Sequence, residues 1–171
     1  MRIAVCDDET VWMEQTKKRL EQIYVSLDLL VDTFSSGKQL LERAKNVSFD
    51  LVILDIEMPK MDGLQVAKSL RAMGAETEIV FLTSHVEYAL KGYEVQALRY
   101  LTKPVDAEKL AEVIQYLLEK EKKQKKIVIQ SEGEMVSLSL SKLLYLEVQN
   151  HDVLFVTENG TWKDGRLRKR L

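Results

Sequence analysis

The chain has 171 residues, of which 46% are hydrophobic and 30% charged, with a formal net charge of −2. This length suffices for one ample core, or for one domain and part of another. No uninterrupted apolar stretch approaches the roughly 20 residues that span a bilayer, and the N-terminus enters a strand-like run without a signal segment, so no membrane association is expected. The single cysteine, Cys6, excludes an internal disulfide and favours a reduced, cytoplasmic location.

Charge is distributed unevenly along the chain. Residues 1–121 contain 15 Lys and Arg against 21 Asp and Glu, and residues 122–126 read Lys-Lys-Gln-Lys-Lys. Residues 127–171 contain six residues of each sign, with the basic ones grouped near the end. An acidic module, a basic joint and a mixed tail predict two units with different partners.

Residues 1–121 alternate between strand-like and helix-like patterns. Short apolar runs predict strands at 3–6, 29–34, 50–55, 78–83 and 97–102. Amphipathic stretches between and after them predict five helices, including one at 64–73 and a short one at 86–93. Five strands alternating with five helices predict an α/β fold with a (βα)5 doubly wound parallel sheet, because connection length and crossover handedness leave few other topologies.

Two helix starts carry capping signals. Ser36 with Gln39 three positions later fits a capping box, and Asp106 precedes the last amphipathic helix of this region. In that helix Leu110, Val113 and Leu117 follow the spacing of one buried face.

The pattern changes after residue 126. Runs at 127–129 and 135–140 predict two strands joined by a tight turn at Glu132-Gly133. Further strands are predicted at 143–148 and 153–157, followed by a hairpin signal at Asn159-Gly160. This part is therefore predicted to be a partial antiparallel all-β segment without helices between its strands.

Polar residues follow four of the predicted parallel strands where each strand stops. Asp7 and Asp8 follow the first, Asp55 the third, Thr83 the fourth and Lys103 the fifth. Because parallel strands open their carboxyl ends onto one edge of the sheet, we expect these side chains to meet in one crevice. The Asp-Asp pair alone could instead be a solvated, helix-capping loop, but the combination favours a site.

The chemistry of this crevice suits phosphoryl transfer. Mg²⁺ takes one or two carboxylates and accepts phosphate oxygens, so Asp7, Asp8 and Asp55 form a suitable donor set. With the metal present, Asp55 could act as the nucleophile towards a phosphoryl donor. Lys103 would supply a point charge to the phosphoryl oxygens, and the Thr83 hydroxyl a hydrogen bond.

Both prolines flank this edge. Pro59 is expected to stiffen the loop after Asp55, and Gly63 is expected to supply a turn conformation closed to other residues. The bond between Lys103 and Pro104 could be cis, which would aim the lysine inward.

Residues 1–121 resemble the receiver domain of bacterial two-component response regulators. The resemblance rests on the motifs Asp7-Asp8, Leu54-Asp55-Ile56-Glu57-Met58-Pro59, Asp62-Gly63, Thr83-Ser84 and Lys103-Pro104. It implies a flavodoxin-like sheet of strand order 2-1-3-4-5. It also implies a partner histidine kinase, whose phosphohistidine donates a phosphoryl group to Asp55.

The same resemblance implies roles for individual residues. Mg²⁺ would be held by Asp8, Asp55, the main-chain carbonyl of Glu57 and, through water, Asp7. Thr83 and Tyr100 would form the switch pair that responds to phosphorylation. Glu57 and His85 would influence the lifetime of the phosphoryl group by controlling water access.

Residues 88–101 look most like receivers attached to LytTR-type DNA-binding domains, and residues 127–171 resemble the opening of that all-β module. The predicted domains are a receiver at 1–121, a basic linker at 122–126 and the N-terminal part of a LytTR-type domain at 127–171. Since a whole LytTR domain is longer, DNA binding is implied for the parent architecture. The basic cluster at 166–170 fits either phosphate contact or a solvated helix face.

The sequence is compatible with three hypotheses about function. The leading hypothesis is a phosphorylation-switched transcriptional regulator that catalyses only its own phosphorylation and dephosphorylation. The second is a regulator acting by protein contact alone, whose β segment serves dimerisation or docking. Because an unfinished antiparallel sheet leaves apolar side chains open, we expect a homodimer through 127–171. The third, a phosphatase with an aspartyl-phosphate intermediate, is weakest because its nucleophile normally follows the first strand.

Overall fold

The computed structural model describes residues 1–23, 29–84, 95–149 and 152–164. The chain divides into two compact units, Met1–Ile114 and Gln115–Leu171. In the ranges that are described, no helix is both long enough and apolar enough to cross a membrane.

The first unit is built on a five-stranded parallel sheet. Its strands are β1 (Arg2–Cys6), β2 (Leu30–Phe34), β3 (Leu51–Leu54), β4 (Glu78–Thr83) and β5 (Arg99–Thr102). They lie in the order β2-β1-β3-β4-β5. The described helices are α1 (Thr10–Ile23), α2 (Gly37–Ala44), α3 (Gly63–Ala72) and α4 (Ala107–Gln124), of which α4 continues past Ile114 into the second unit. The doubly wound α/β prediction and its strand order are confirmed, while the helix predicted at 86–93 lies outside the described residues.

Burial follows the position of each strand in the sheet. All four residues of β3, at the centre, are buried, whereas β2 at one edge has none that is fully buried. Val52 and Leu54 pack in one core cluster with Leu40 of α2 and with Val66 and Leu70 of α3. Leu51 and Ile53 are fully buried as well, as expected for a central parallel strand. Asp55 therefore follows directly from one of the most firmly packed strands of this unit.

Strand β5 begins at Arg99, two residues later than predicted. The residues just before it are held by Arg71 of α3, whose guanidinium donates to the carbonyl oxygens of Val95 at 3.0 Å and Gln96 at 3.5 Å. The same guanidinium donates to the carbonyl oxygens of Ala75 at 3.0 Å and Thr77 at 2.8 Å. Because the five N–H donors of arginine form a rigid fork, one side chain can hold several main-chain segments together.

The loop after β3 shows that the reason predicted for Gly63 was wrong. A positive φ occurs in this loop at Lys60, at 71°, and not at Gly63. A Cβ atom added to Gly63 would lie 2.1 Å from the main-chain oxygen of Asp55. Gly63 also donates its N–H to the carbonyl of Ile56 at 2.9 Å. Glycine is therefore needed because α3 begins in close contact with the end of β3.

Helix capping is partly as predicted. The Ser36 side chain accepts a hydrogen bond from the Gln39 N–H at 3.5 Å, but the Gln39 side chain accepts from the N–H of Ser35. A complete capping box forms at α3, which the sequence reading missed. There Asp62 accepts from the Gln65 N–H at 2.7 Å and the Gln65 side chain accepts from the Asp62 N–H at 3.0 Å. This box fixes the start of α3 beside the strand end.

The second unit is antiparallel, as predicted. Strands β6 (Lys126–Ser131) and β7 (Glu134–Ser139) form a hairpin whose turn residues Glu132 and Gly133 both have positive φ. A 3-10 turn, Leu140–Lys142, leads to β8 (Leu143–Gln149), β9 (Asp152–Thr157) and β10 (Gly160–Asp164). These three strands pair in the order β10-β9-β8.

The core of the second unit is small. Within residues 115–149 and 152–164 it consists of the buried side chains of Ile129, Leu138 and Phe155, with partly buried apolar residues around them. The pairing of β8 with β9 shifts between Leu143 and Tyr145. Because the side chains of a strand alternate between faces, this shift brings Leu143 onto the face that carries Phe155, where it packs against the core.

The structure differs from the predicted linker at 122–126. Helix α4 starts beyond Asp106, which accepts from the N–H of Glu108 at 2.8 Å, and continues through Gln124, so only Lys125 separates it from β6. The Lys125 ammonium pairs with Glu121 one turn earlier at 2.6 Å. Lysine is a good helix former and tolerates a solvated helix face, so the lysine run extends the helix.

Candidate functional site

The predicted crevice lies at the carboxyl edge of the parallel sheet. Lys103, which follows β5, extends its ammonium between two carboxylates from other strands. Its Nζ atom lies 2.7 Å from Asp7 Oδ2 and 2.8 Å from Asp55 Oδ2. The N–H of Lys103 donates to the carbonyl of Thr83 at 3.0 Å, and the bond to Pro104 is cis. Three strand ends are thereby joined through one lysine side chain, and its backbone is tied to a fourth.

These charged groups are removed from solvent. The side chains of Lys103, Asp7 and Asp55 are 2%, 3% and 5% exposed. A buried ammonium is stable only where carboxylates compensate its charge and accept its hydrogen bonds. The arrangement is therefore a coupled cluster, in which removal of one member affects the others.

Three carboxylates offer a set of oxygen donors for a metal. Asp7, Asp8 and Asp55 can each present one oxygen such that all three atoms lie within 4.8 Å of one another. Asp8 is the most exposed of the three, so the set is open on one side. Hard oxygen donors with an open side are what Mg²⁺ prefers, since it retains several waters. The donor set fits this ion.

Burial and nearby charges set the protonation states in the crevice. Burial raises the pKa of Asp7, and its hydrogen bonds with Lys103 and the Glu9 N–H only partly offset this rise. Burial lowers the pKa of Lys103, but its hydrogen bonds to Asp55 and Asp7 outweigh burial and hold that pKa above its ordinary value. Lys103 is therefore an ammonium ion. The carboxylates of Asp7, Asp8 and Asp55 together carry more negative charge than this one ammonium can neutralise.

The floor of the crevice is apolar. The Cys6 Sγ atom lies 3.6 Å from the Sδ atom of Met58. Burial first, and then the charges of Asp7, Asp55 and Asp8, raise the pKa of Cys6 to about 12. Cys6 is thus a neutral thiol that behaves as a small hydrophobic side chain beneath the carboxylates.

The two predicted switch residues occupy neighbouring strands. Thr83 ends β4 and is 1% exposed. Tyr100 of β5 packs against Phe81 of β4, with ring centroids 5.0 Å apart. Its hydroxyl oxygen is buried and has no hydrogen-bond partner within the described parts of the chain, and burial raises the pKa of Tyr100.

The structure brings Asp7, Asp8, Asp55 and Lys103 together as predicted. Glu57 lies in the exposed loop two residues after Asp55. The predicted lifetime residue His85 falls outside the described residues.

Two residues near the crevice were missed by the sequence analysis. The N–H of Glu9 donates to Asp7 Oδ1 at 2.9 Å, and Glu9 Oε1 lies 3.8 Å from Lys103 Nζ. The ring centroid of Trp12 in α1 lies 5.9 Å from the same Nζ atom. Both residues follow closely after Asp8 in the sequence, and this closeness to a predicted site residue was the signal that could have identified them.

We predict that Lys103→Met destabilises the protein at neutral pH by about 3–5 kcal/mol, because it leaves two buried carboxylates without their cation. Burial raises the pKa of Asp7, and replacing Lys103 removes the hydrogen bond that offsets part of this rise. The loss should therefore be largest at neutral pH and shrink as pH falls and Asp7 is protonated. Urea unfolding at pH 7 and pH 4 measures this.

The matched control is Lys45→Met. Lys45 Nζ also lies 2.8 Å from a carboxylate oxygen, that of Glu42, but both side chains are more than half exposed. We expect this substitution to leave stability nearly unchanged. Equal losses for the two variants would contradict a special role for the buried cluster.

Comparison with known proteins agrees with this architecture. The family model described as response regulator receiver domain matches residues 3–115. Over 117 residues the chain is 38% identical to the positive alginate biosynthesis regulatory protein of Pseudomonas aeruginosa, covering 67% of this chain and 46% of that protein. Over 167 residues it is 28% identical to the sensory transduction protein LytT of Bacillus subtilis, covering 94% of this chain and 66% of that protein.

A solved receiver domain protein from Clostridium thermocellum has a TM-score of 0.60 at 28% identity, covering 71% of this chain and 96% of that one. The chain spans about half of the length of the alginate regulator and about two thirds of LytT. The match to LytT includes the second unit, whereas the receiver family model stops at residue 115. This chain belongs to the response regulator receiver family and is homologous to transcriptional regulators of two-component systems.

Proposed function

We propose that the first unit accepts a phosphoryl group on Asp55 from the phosphohistidine of a histidine kinase, and that this modification controls transcription. The observation that carries the proposal is the buried ammonium of Lys103, 2.8 Å from an Asp55 oxygen. It stands beside a set of carboxylate oxygens suited to Mg²⁺. A nucleophilic carboxylate between a metal site and a fixed cation is what phosphoryl transfer needs, since catalysis of this reaction depends on positioning and charge stabilisation.

The reaction balances without any further reactant. An oxygen of the Asp55 carboxylate forms a bond to phosphorus while the phosphorus–nitrogen bond of the kinase's phosphohistidine breaks. The imidazole leaves with the electrons of that bond. The product is an acyl phosphate on Asp55, which water later hydrolyses to restore the carboxylate. Beyond this cycle we propose no turnover of an external substrate.

Asp8, Asp55 and the main-chain carbonyl of Glu57 would hold Mg²⁺, and Asp7 would contribute through water. Bound there, the ion would neutralise charge on the oxygens of the transferring group. Lys103 would keep its bond to Asp7 and donate to a phosphoryl oxygen in place of the Asp55 carboxylate. Its raised pKa supports this role, because the side chain stays charged at neutral pH.

The proposed switch connects Thr83 to Tyr100. Thr83 is buried at the end of β4, and its carbonyl accepts from the N–H of Lys103. Among the described residues the buried Tyr100 hydroxyl has no hydrogen-bond partner, and such a hydroxyl costs free energy, so we propose that the ring can shift in response to a change nearby. Glu57 and His85 are proposed to control water access and thus the lifetime of the acyl phosphate.

The output is proposed to be transcriptional. The relative NatR of Bacillus subtilis carries the name transcriptional regulatory protein, and 92% of this chain matches it. We propose a receiver at 1–121 and a LytTR-type module from residue 127, in the cytoplasm. DNA contact is proposed for a protein of the relatives' full length.

We predict that this chain incorporates one phosphoryl group from a small phosphodonor in the presence of Mg²⁺, and that Asp55→Ala or removal of Mg²⁺ with EDTA abolishes it. Intact-mass spectrometry measures the addition. The control is Asp62→Asn, in the same loop, because asparagine preserves the helix cap. Equal labelling of wild type and Asp55→Ala would remove the site assignment.

A second candidate function, dimerisation without DNA binding, is favoured by strand β8. Within the described residues this strand pairs on one side only, with β9. Leu146 and Val148 lie on the core face of the sheet, opposite Phe155 and Val153, yet they are 55% and 72% exposed. An unpaired edge with open apolar side chains is a template for pairing with another strand.

The sequence of β8 is compatible with pairing to a second copy of itself. An antiparallel pair centred on Leu146 sets Leu144 opposite Val148 and Tyr145 opposite Glu147 of the other copy. A pair centred on Glu147 would instead set two carboxylates opposite each other, which is unfavourable. We therefore propose a two-fold dimer centred on Leu146.

Light scattering at increasing concentration tests this dimer. We predict a dimer for the wild type and a monomer for Leu146→Glu, because the substitution sets two charges opposite each other at the centre. The control is Leu30→Glu, a leucine of the first unit with a similar exposure of 59%. A monomeric wild type would exclude the dimer.

A gel shift with and without acetyl phosphate distinguishes a regulator that binds DNA from one that only dimerises.

A further inference from the structure

The ammonium of Lys103 has a third neighbour besides its two carboxylates. A lysine ammonium has three N–H donors, of which Asp7 and Asp55 take two. The remaining side faces Glu9, whose oxygen at 3.8 Å is too far for a hydrogen bond, and the ring of Trp12. The Glu9 side chain is 63% exposed, so water screens its attraction.

Trp12 is placed by the start of helix α1. The main-chain N–H of Trp12 donates to the carbonyl of Glu9 at 3.0 Å, and this bond closes the first helical turn after the pair Asp7-Asp8. The indole is partly buried, and its centroid lies 5.9 Å from Lys103 Nζ. This distance falls within the range over which an aromatic face attracts a cation. Trp12 therefore helps to cover a side of the ammonium that the carboxylates leave open.

We propose that Trp12 is a positioning residue for Lys103, and thereby sets the rate at which Asp55 is phosphorylated. This inference rests on the proposed function. When Asp55 becomes an acyl phosphate, its carboxylate charge is lost and Lys103 must exchange one oxygen partner for another. The attraction of the indole face does not depend on the state of Asp55. Trp12 and Asp7 thus keep the ammonium within reach of the phosphoryl oxygens throughout the exchange.

A purely structural role for Trp12, filling a gap at the base of α1, makes a different prediction. In that case any apolar side chain of sufficient size would serve. If the aromatic face attracts Lys103, then phenylalanine should serve and methionine should not. Both are apolar and of broadly similar size, but only phenylalanine has a π face.

The experiment compares Trp12→Phe, Trp12→Met and the wild type. The rate constant of phosphorylation from phosphoramidate is measured at saturating Mg²⁺ by intact-mass spectrometry. We expect Trp12→Met to be about two- to five-fold slower, the rate equivalent of a partly solvated cation–π contact. Trp12→Phe should keep most of the wild-type rate. The Mg²⁺ concentration for half-maximal rate should be the same in all three, because the metal donors are untouched.

Val11→Ala serves as the control, since Val11 is the neighbouring residue of α1 and is 74% exposed. It should be phosphorylated at the wild-type rate. Equal rates for Trp12→Phe and Trp12→Met would overturn the inference, as would a slower rate explained by a matching loss of folded protein in thermal melts. Absence of labelling in the wild type would instead overturn the proposed function itself.

Discussion

The structure of the first unit depends on one ion cluster, the ammonium of Lys103 held between the carboxylates of Asp7 and Asp55. The three groups come from the ends of strands β5, β1 and β3, and all are almost fully removed from solvent. A buried charge without partners is costly, so these strand ends must stay in register for the cluster to exist. The cluster therefore connects the packing of the sheet to the chemistry at its edge.

The strands, loops and helix starts around the ion cluster fix the positions of its three charged side chains. Strand β3 is fully buried and delivers Asp55 from the centre of the sheet. Gly63 lets helix α3 begin in contact with the main chain of Asp55, where any larger residue would clash. The main chain of Thr83 holds that of Lys103, and Trp12 lies against the ammonium. The site is thus built by backbone contacts as much as by its charged side chains, which agrees with the need for preorganisation in phosphoryl transfer.

Much of this could be predicted from the sequence, because its signals are local. Apolar runs that end in Asp7, Asp55 and Lys103 predict parallel strands with polar ends, and the topology then brings those ends together. The part that could not be predicted depends on contacts distant in sequence. Gly63 must lack a side chain because the main-chain oxygen of Asp55 lies close to it, and Trp12 matters because its ring lies near the ammonium of Lys103. The lysines after residue 121 predicted a linker because charge alone does not distinguish a solvated helix from a joint.

The central claim is that Asp55 can carry a tetrahedral phosphoryl group between a metal ion and Lys103. Fluorine NMR with beryllofluoride, a stable mimic of that group, tests it most directly. The account predicts new resonances of bound fluoride when Mg²⁺ and beryllofluoride are both present, and their absence when Mg²⁺ is omitted or Asp55 is replaced by alanine. Failure of any bound resonance to appear with the folded wild-type chain at saturating Mg²⁺ would contradict it.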